Sequence, residues 1–226
     1  MTEPDAGHCR HADRLDWHQY RADLSDRLAQ LIDESEDERP LQAFFEEFPF
    51  VLALGVYGGL HEKSWVFGRP RLGGGTYIPD FLMCDRDSLG YQWKLVELEG
   101  PRVRPTTAQG AVAAPTHHAV QQIRDYRRWL RENIAFERDQ GWHQISGDCD
   151  AYIVIGRRYD RTHLEDERLA DFRADRITIH PYDWLLANYR HVQDYINKSI
   201  RDFERFVQEN GPFPNELRGS PNDGAA

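Results

Sequence analysis

Three carboxylates in one short stretch of this sequence have the types and spacing of a metal or acid–base site. Pro79-Asp80 is followed, sixteen residues on, by Glu97-Leu98-Glu99. Residues 77–83 are rich in strand formers, residues 85–90 read Asp-Arg-Asp-Ser-Leu-Gly as a turn, and residues 91–99 form a second strand stopped by Gly100-Pro101. Side chains alternate along a strand, so Trp93, Leu95, Glu97 and Glu99 share one face, and Lys94, Val96 and Leu98 the other. Folding the two strands about the turn brings Asp80 within a rung or two of Glu97. Acids so placed repel one another and are tolerated with protons or a cation between them. Hard divalent cations take oxygen ligands of this kind, which predicts a Mg or Mn site of Asp80, Glu97 and Glu99.

The elements that position these acids are read from periodicity. Residues 15–32 form an amphipathic helix with Leu15, Leu24, Leu28 and Leu31 on its apolar side, broken by the acidic run 33–40. A second helix starts at Leu41 with Leu41, Phe44, Phe45, Phe48 and Leu52 in register; Glu46 and Glu47 lie off this stripe. Residues 64–72 are a strand ending at Gly73-Gly74-Gly75, which lacks a following Lys-Ser/Thr and is read as a hairpin loop, not a phosphate cradle. Residues 101–115, carrying Arg102 and Arg104, form a loop whose length suits a segment folding over a substrate. Thr116 caps a helix over 117–134, on which Gln122 lies among Ala119, Ile123, Tyr126 and Leu130. An amide among apolar neighbours needs a specific partner. A buried strand over 150–157, an acidic helix over 164–174 and a strand over 176–180 follow, then a long helix capped by Asp183. The last helix carries the stripe Leu185, Tyr189, Val192, Ile196, Ile200, Phe203 and Val207. Such a stripe exceeds what a small sheet covers and predicts self-association or packing on the first helix. The order implies an α/β fold, a mixed sheet flanked by helices with helical extensions at both ends. The chain divides into a disordered N-terminus (1–14), an N-terminal helix (15–37), one domain (38–210) and a disordered tail (211–226).

Composition bounds the partners. With 226 residues, 40% of them hydrophobic, the chain has material for one ordinary core. No run of about 18 apolar residues exists, which excludes a membrane-spanning helix. The polar start has no apolar signal region, and three distant cysteines, Cys9, Cys84 and Cys149, suit a reducing cytoplasm. His8, Cys9 and His11 have no second ligand pair downstream. A net charge of −10 disfavours a protein that coats nucleic acid. Residues 94–131, however, hold seven Lys or Arg against three acids, and predict a nucleic-acid face of Arg102, Arg104, Arg124, Tyr126 and Arg128.

Pro79-Asp80 with Glu97-Leu98-Glu99 resembles the PD…(D/E)xK motif of restriction nucleases, with Glu99 where a lysine is expected. Residues 41–52 (Leu-Gln-Ala-Phe-Phe-Glu-Glu-Phe-Pro-Phe-Val-Leu), Pro79-Asp80-Phe81, residues 96–101 (Val-Glu-Leu-Glu-Gly-Pro) and residues 119–126 (Ala-Val-Gln-Gln-Ile-Arg-Asp-Tyr) together resemble the layout of Shedu antiphage proteins, over roughly residues 38–190. Gln122 and Tyr126 also resemble the Q-x-x-x-Y block of RecB-like nucleases. The resemblance implies a restriction-endonuclease-like fold and Mg- or Mn-dependent cleavage of nucleic acid, DNA in the first instance, in phage defence. Asp80 and Glu97 would hold the metal, Glu46 or Glu47 would add an acid from the first core helix, and Gln122 and Tyr126 would lie near the acids or the DNA. The lysine's charge would come from Lys94, Arg102 or Arg124, with Arg102 the best placed by sequence. A second reading is an inactive relative that binds nucleic acid or a partner as a sensor or scaffold; a third leaves Asp80 and Glu97 as ordinary strand-end charges.

Overall fold

The computed structural model describes residues 13–14, 21, 23–58, 64–158 and 162–210, so the expectations for 1–12, 15–20 and 211–226 lie outside the described residues. Six strands lie side by side in the order in which the chain makes them. β1 (Asp13–Arg14), β2 (Ser64–Gly68), β3 (Phe81–Asp87) and β4 (Gly90–Leu98) are antiparallel neighbours. β5 (Asp150–Val154) and β6 (Ile177–His180) continue the sheet parallel to β4. Ahead of β2 come α1 (Leu24–Glu34), α2 (Arg39–Glu47) and α3 (Pro49–Tyr57). A parallel neighbour requires a crossover. α4 (Ala114–Glu132) and α5 (Ile134–Asp139) make the first, α6 (His163–Ala170) the second, and α7 (Tyr182–Asn210) closes the described chain. This is the mixed sheet flanked by helices that the sequence implies.

Strand alternation divides the apolar residues between two cores. Val66, Phe81, Met83, Val96, Leu98 and Val154 pack under α1, α2, α3 and α7. Phe67, Leu82, Cys84, Trp93, Leu95 and Ile153 pack under α4, through Ala119, Ile123, Tyr126 and Leu130. Glu97 therefore leaves β4 on the α4 side, as the alternation requires.

Several boundaries differ from the sequence reading. The helix expected from Leu41 through Leu52 breaks at Phe48 (φ −127°, ψ 66°), because Pro49 lacks an N–H and keeps the residue before it out of helical geometry. Asp13–Arg14, read as disordered, pairs with Val66 and Trp65, and the helix expected from Leu15 is described only from Leu24. The β3 ladder begins at Phe81 instead of Tyr77, and it runs on to Asp87 opposite Gly90, so Ser88-Leu89 alone makes the turn. The Asp87 carboxylate accepts from Leu89 N–H at 2.7 Å, and Gly90 takes φ 114°, a value open to glycine. α4 starts at Ala114, with Thr116 donating its hydroxyl to Pro105 O at 2.8 Å instead of capping. The loop expected to fold over a substrate is instead pinned. Ala113 N–H donates to Pro105 O at 2.9 Å, and the Thr106 hydroxyl bonds to Glu165 of α6.

Candidate functional site

The hairpin's register builds the site. Phe81 is the last β3 residue in the ladder and pairs with Val96, so Asp80 stands one step beyond it, level with Glu97. The two acids lock onto each other's strands. Leu98 N–H donates to Asp80 Oδ2 at 2.8 Å, and Asp80 N–H donates to Glu97 Oε1 at 3.4 Å. On the other side, Asp80 O accepts from Arg69 N–H at 2.8 Å, which extends the β2–β3 ladder by one bond. Asp80 is thus held from both neighbouring strands at the point where the sheet opens.

Burial and like charge crowd these acids. Burial, with Glu38 and Glu46 nearby, pushes the Asp80 carboxyl up to about 6, against the pull of Leu98 N–H and the Arg69 charge. Glu97, 5% exposed, is raised well above the carboxylate range by burial and then by Asp80. The Tyr126 hydroxyl bonds to Glu97 and Gln122 bonds to Tyr126, so α4 fixes Glu97 through a two-step relay. Burial, Glu38 and Asp80 push Glu99 up to about 7.

The remaining acids arrive by close approach. A side chain on Gly68 would meet Glu46 Cγ at 3.2 Å, so this glycine lets Glu46 lie over the end of β2. Gln42 Nε2 steadies Glu46 Oε1 at 3.1 Å, whereas Glu47 faces Arg27 at 3.7 Å. Of the two, Glu46 is the one whose charge acts on Asp80. Gly100 lies against Asp37 Cα and Glu36 O, where a Cβ would sit 3.4 and 3.5 Å away. Glu99 feels the charges of Glu38 and Asp80. Among the described residues no three His, Cys, Asp or Glu side chains converge to hold an ion, so the expected ligand trio Asp80, Glu97 and Glu99 is not assembled as such. The close pair is Asp80 with Glu97.

Of the residues expected at the site, Asp80, Glu97, Glu99, Glu46, Gln122 and Tyr126 come together. The arginines do not. Arg102 caps the end of α1 through Ser35 O and Asp33 O, both at 3.2 Å, and pairs with Glu36 at 3.3 Å. Arg104 pairs with Glu165 (3.6 Å), Arg124 with Asp175 (2.5 Å), and Arg128 with Asp125. Lys94 is 2.6 Å from Asp85, toward the turn of the hairpin. Three residues were missed by sequence reasoning. Glu38 was hidden inside an acidic run that looked like a simple helix breaker. Arg69 was read as mid-strand, although Gly68-Arg69-Pro70 is a turn signal. Tyr182 was read only as the start of the last helix. Its fully buried hydroxyl has no hydrogen-bond partner among the described residues and lies in the field of Asp80, Glu38 and Glu99.

A mixed sheet flanked by helices, with the half-buried Asp80 and the buried Glu97 paired where its central hairpin ends, defines an α/β protein built around an acidic site. Within that class, the chain belongs to the Shedu family: residues 35–186 match the family model described as Shedu protein SduA, C-terminal. The family implies a role in antiphage defence. No curated protein matches the chain. Among the described residues no helix is long and apolar enough to cross a membrane.

Proposed function

We propose that the chain is a Mg- or Mn-dependent endonuclease that hydrolyses phosphodiester bonds of DNA inside the cytoplasm. The observation that carries this reading is the Asp80–Glu97 pair, a half-buried and a buried carboxyl each bonded to the other's strand. The donor set fits a hard divalent ion. Mg is commonly held by one or two carboxylates, with water and substrate phosphate in the remaining positions. The raised pKa of both carboxyls, which burial holds against their negative charge, and the unpartnered Tyr182 hydroxyl support a polar, positively charged guest here. When bound, such an ion neutralises phosphate charge and acidifies water. The protein's own contributions follow from the geometry. Gln122 and Tyr126 orient Glu97, Leu98 N–H orients Asp80, and Glu46 and Glu38 deepen the negative field that draws a cation. Glu99, half-buried beside Asp80, is the proton acceptor this site offers to the attacking water.

The test is cleavage of plasmid DNA with Mg or Mn. Asp80→Ala and Glu97→Ala should each abolish it while the fold persists, and undiminished cleavage by both would remove the site. A second reading, an inactive relative that binds nucleic acid or a partner, is favoured by one observation. Arg102, Arg104, Arg124 and Arg128 each pair with a carboxylate of the chain itself. A wild type that binds DNA with no cleavage in either metal would select that reading. α7 supports self-association: its stripe is buried through Val192, whereas Tyr195, Ile200 and Phe203 are exposed by 60%, 45% and 56%.

A further inference from the structure

The nuclease reading leaves one chemical need unmet. A face bearing Glu38, Glu46, Asp80, Glu97 and Glu99 repels the phosphate it must approach, and the position of the expected lysine holds Glu99. We propose that Arg69 is the residue that grips the substrate phosphate beside Asp80, reached from the neighbouring strand instead of from β4.

The placement comes from the backbone. Gly68 pairs with Phe81, so Arg69 is the next step across from Asp80, and the Arg69 N–H to Asp80 O bond fixes the two residues together. Arg69 takes φ 50°, the left-handed region that a non-glycine residue occupies at a cost of about 1 kcal/mol. Pro70 follows immediately, fixing the exit of the turn. A strained arginine locked to the backbone of a buried acid is held there by its surroundings, not by its own preference.

Its side chain is also uncommitted. Arg69 is exposed, and among the described residues its guanidinium makes no hydrogen bond or ion pair. Arg102, Arg104, Arg124, Arg128, Arg157 and Arg176 are all ion-paired. The Arg69 charge is nevertheless felt at the Asp80 carboxyl without closing on it. The guanidinium fork suits phosphate, which it meets with two parallel hydrogen bonds.

The assignment rests on the nuclease reading of Asp80 and Glu97, and the experiment separates the two. Arg69→Gly removes the fork and relieves the left-handed strain, so it should melt no lower than wild type. Its cleavage of DNA should fall about 100-fold, the loss typical of one preorganised charge-stabilising donor. Arg69→Lys, which keeps the charge without the fork, should fall between them. Binding of a short labelled duplex, with Ca in place of Mg, should lose one phosphate contact in Arg69→Gly. The slope of log affinity against log salt then becomes shallower by about 0.9. An unchanged slope, or Arg69→Gly cleavage within about threefold of wild type, would overturn the role of Arg69 and leave the carboxylate site standing. Full cleavage by Asp80→Asn would instead overturn the reading beneath it. Should wild type cleave nothing, the salt slope alone decides the phosphate contact.

Discussion

Removing the charge of Asp80 should make the metal-free protein more stable, and the size follows from the site. Burial beside Glu38 and Glu46 holds this carboxyl at about 6, against an ordinary 3.8. The folded-state value lies above the unfolded one, so the folded state is favoured at low pH. The penalty sets in as pH rises past 3.8 and is complete above about 6. At about 1.36 kcal/mol per pH unit, the ionised carboxylate weakens the fold by about 3 kcal/mol at neutral pH. Asp80→Asn removes that penalty yet keeps an amide oxygen to accept from Leu98 N–H. The variant should therefore melt about 6–12 °C above wild type at pH 8 in chelator, at 2–4 °C per kcal/mol for a chain of this size. Near pH 4 the gain should vanish, because wild-type Asp80 is then protonated in the folded state. Calorimetric or urea unfolding at the two pH values, in chelator, measures both differences. Equal stability at pH 8, or a gain that persists unchanged at pH 4, would refute the claim that Asp80 is held against its charge.

Two further outcomes are expected. Gln122→Ala should lower cleavage and cost on the order of 1 kcal/mol in thermal unfolding, because Gln122 supports Tyr126 behind Glu97; Gln121→Ala, whose amide bonds only Asp125 at 2.9 Å on the surface, should do neither. Ile200→Glu combined with Phe203→Glu should convert a wild-type dimer to a monomer in light scattering, and a wild type that stays monomeric at high concentration would end the idea of self-association through α7.

The carboxylate pair was legible because two local rules fix it. Alternation along β4 assigns Glu97 a face, and a hairpin turn between Asp87 and Gly90 sets Asp80 opposite. A turn placed slightly wrong in the sequence reading still left the pair within a rung. Gln122 was legible for a similar reason, since an amide on an apolar helix face must find a partner, and it finds Tyr126. What failed depends on contacts distant in the chain. The close approach of Gly100 to Glu36 and Asp37, which brings the acidic run near Glu99, links segments more than sixty residues apart. In the basic run over 94–131, Arg104 and Arg124 pair with Glu165 and Asp175 from far along the chain. No local pattern announces those partners. Arg69 was concealed differently: its importance comes from a left-handed turn next to another strand's acid, and strand propensity in Ser64-Trp65-Val66-Phe67 runs straight over it.

Stability alone gives no reason for this arrangement. Asp80 and Glu97 could be replaced by neutral residues of similar shape, and the two backbone bonds they accept would survive an amide in either place. Instead the fold spends two strand ends, a helix relay and two close-approach glycines, Gly68 and Gly100, on gathering acids that burial raises toward protonation. Each device would be unnecessary if the acids merely decorated a surface, where water would solvate them at no cost. Local rules that are broken together, at one place and against the stability of the fold, are characteristic of sites kept for a ligand. On the proposed reading, the sign of the field favours a cation, or an anion that arrives with one. Among the described arginines of the turn after β2 and the loop after β4, Arg102 and Arg104 are ion-paired, whereas Arg69 and Arg71 are not, and Arg69 is the one bonded to the backbone of Asp80. The proposed pairing, a cation at Asp80–Glu97 and a phosphate at Arg69, would give both the acids and the arginine a counter-charge.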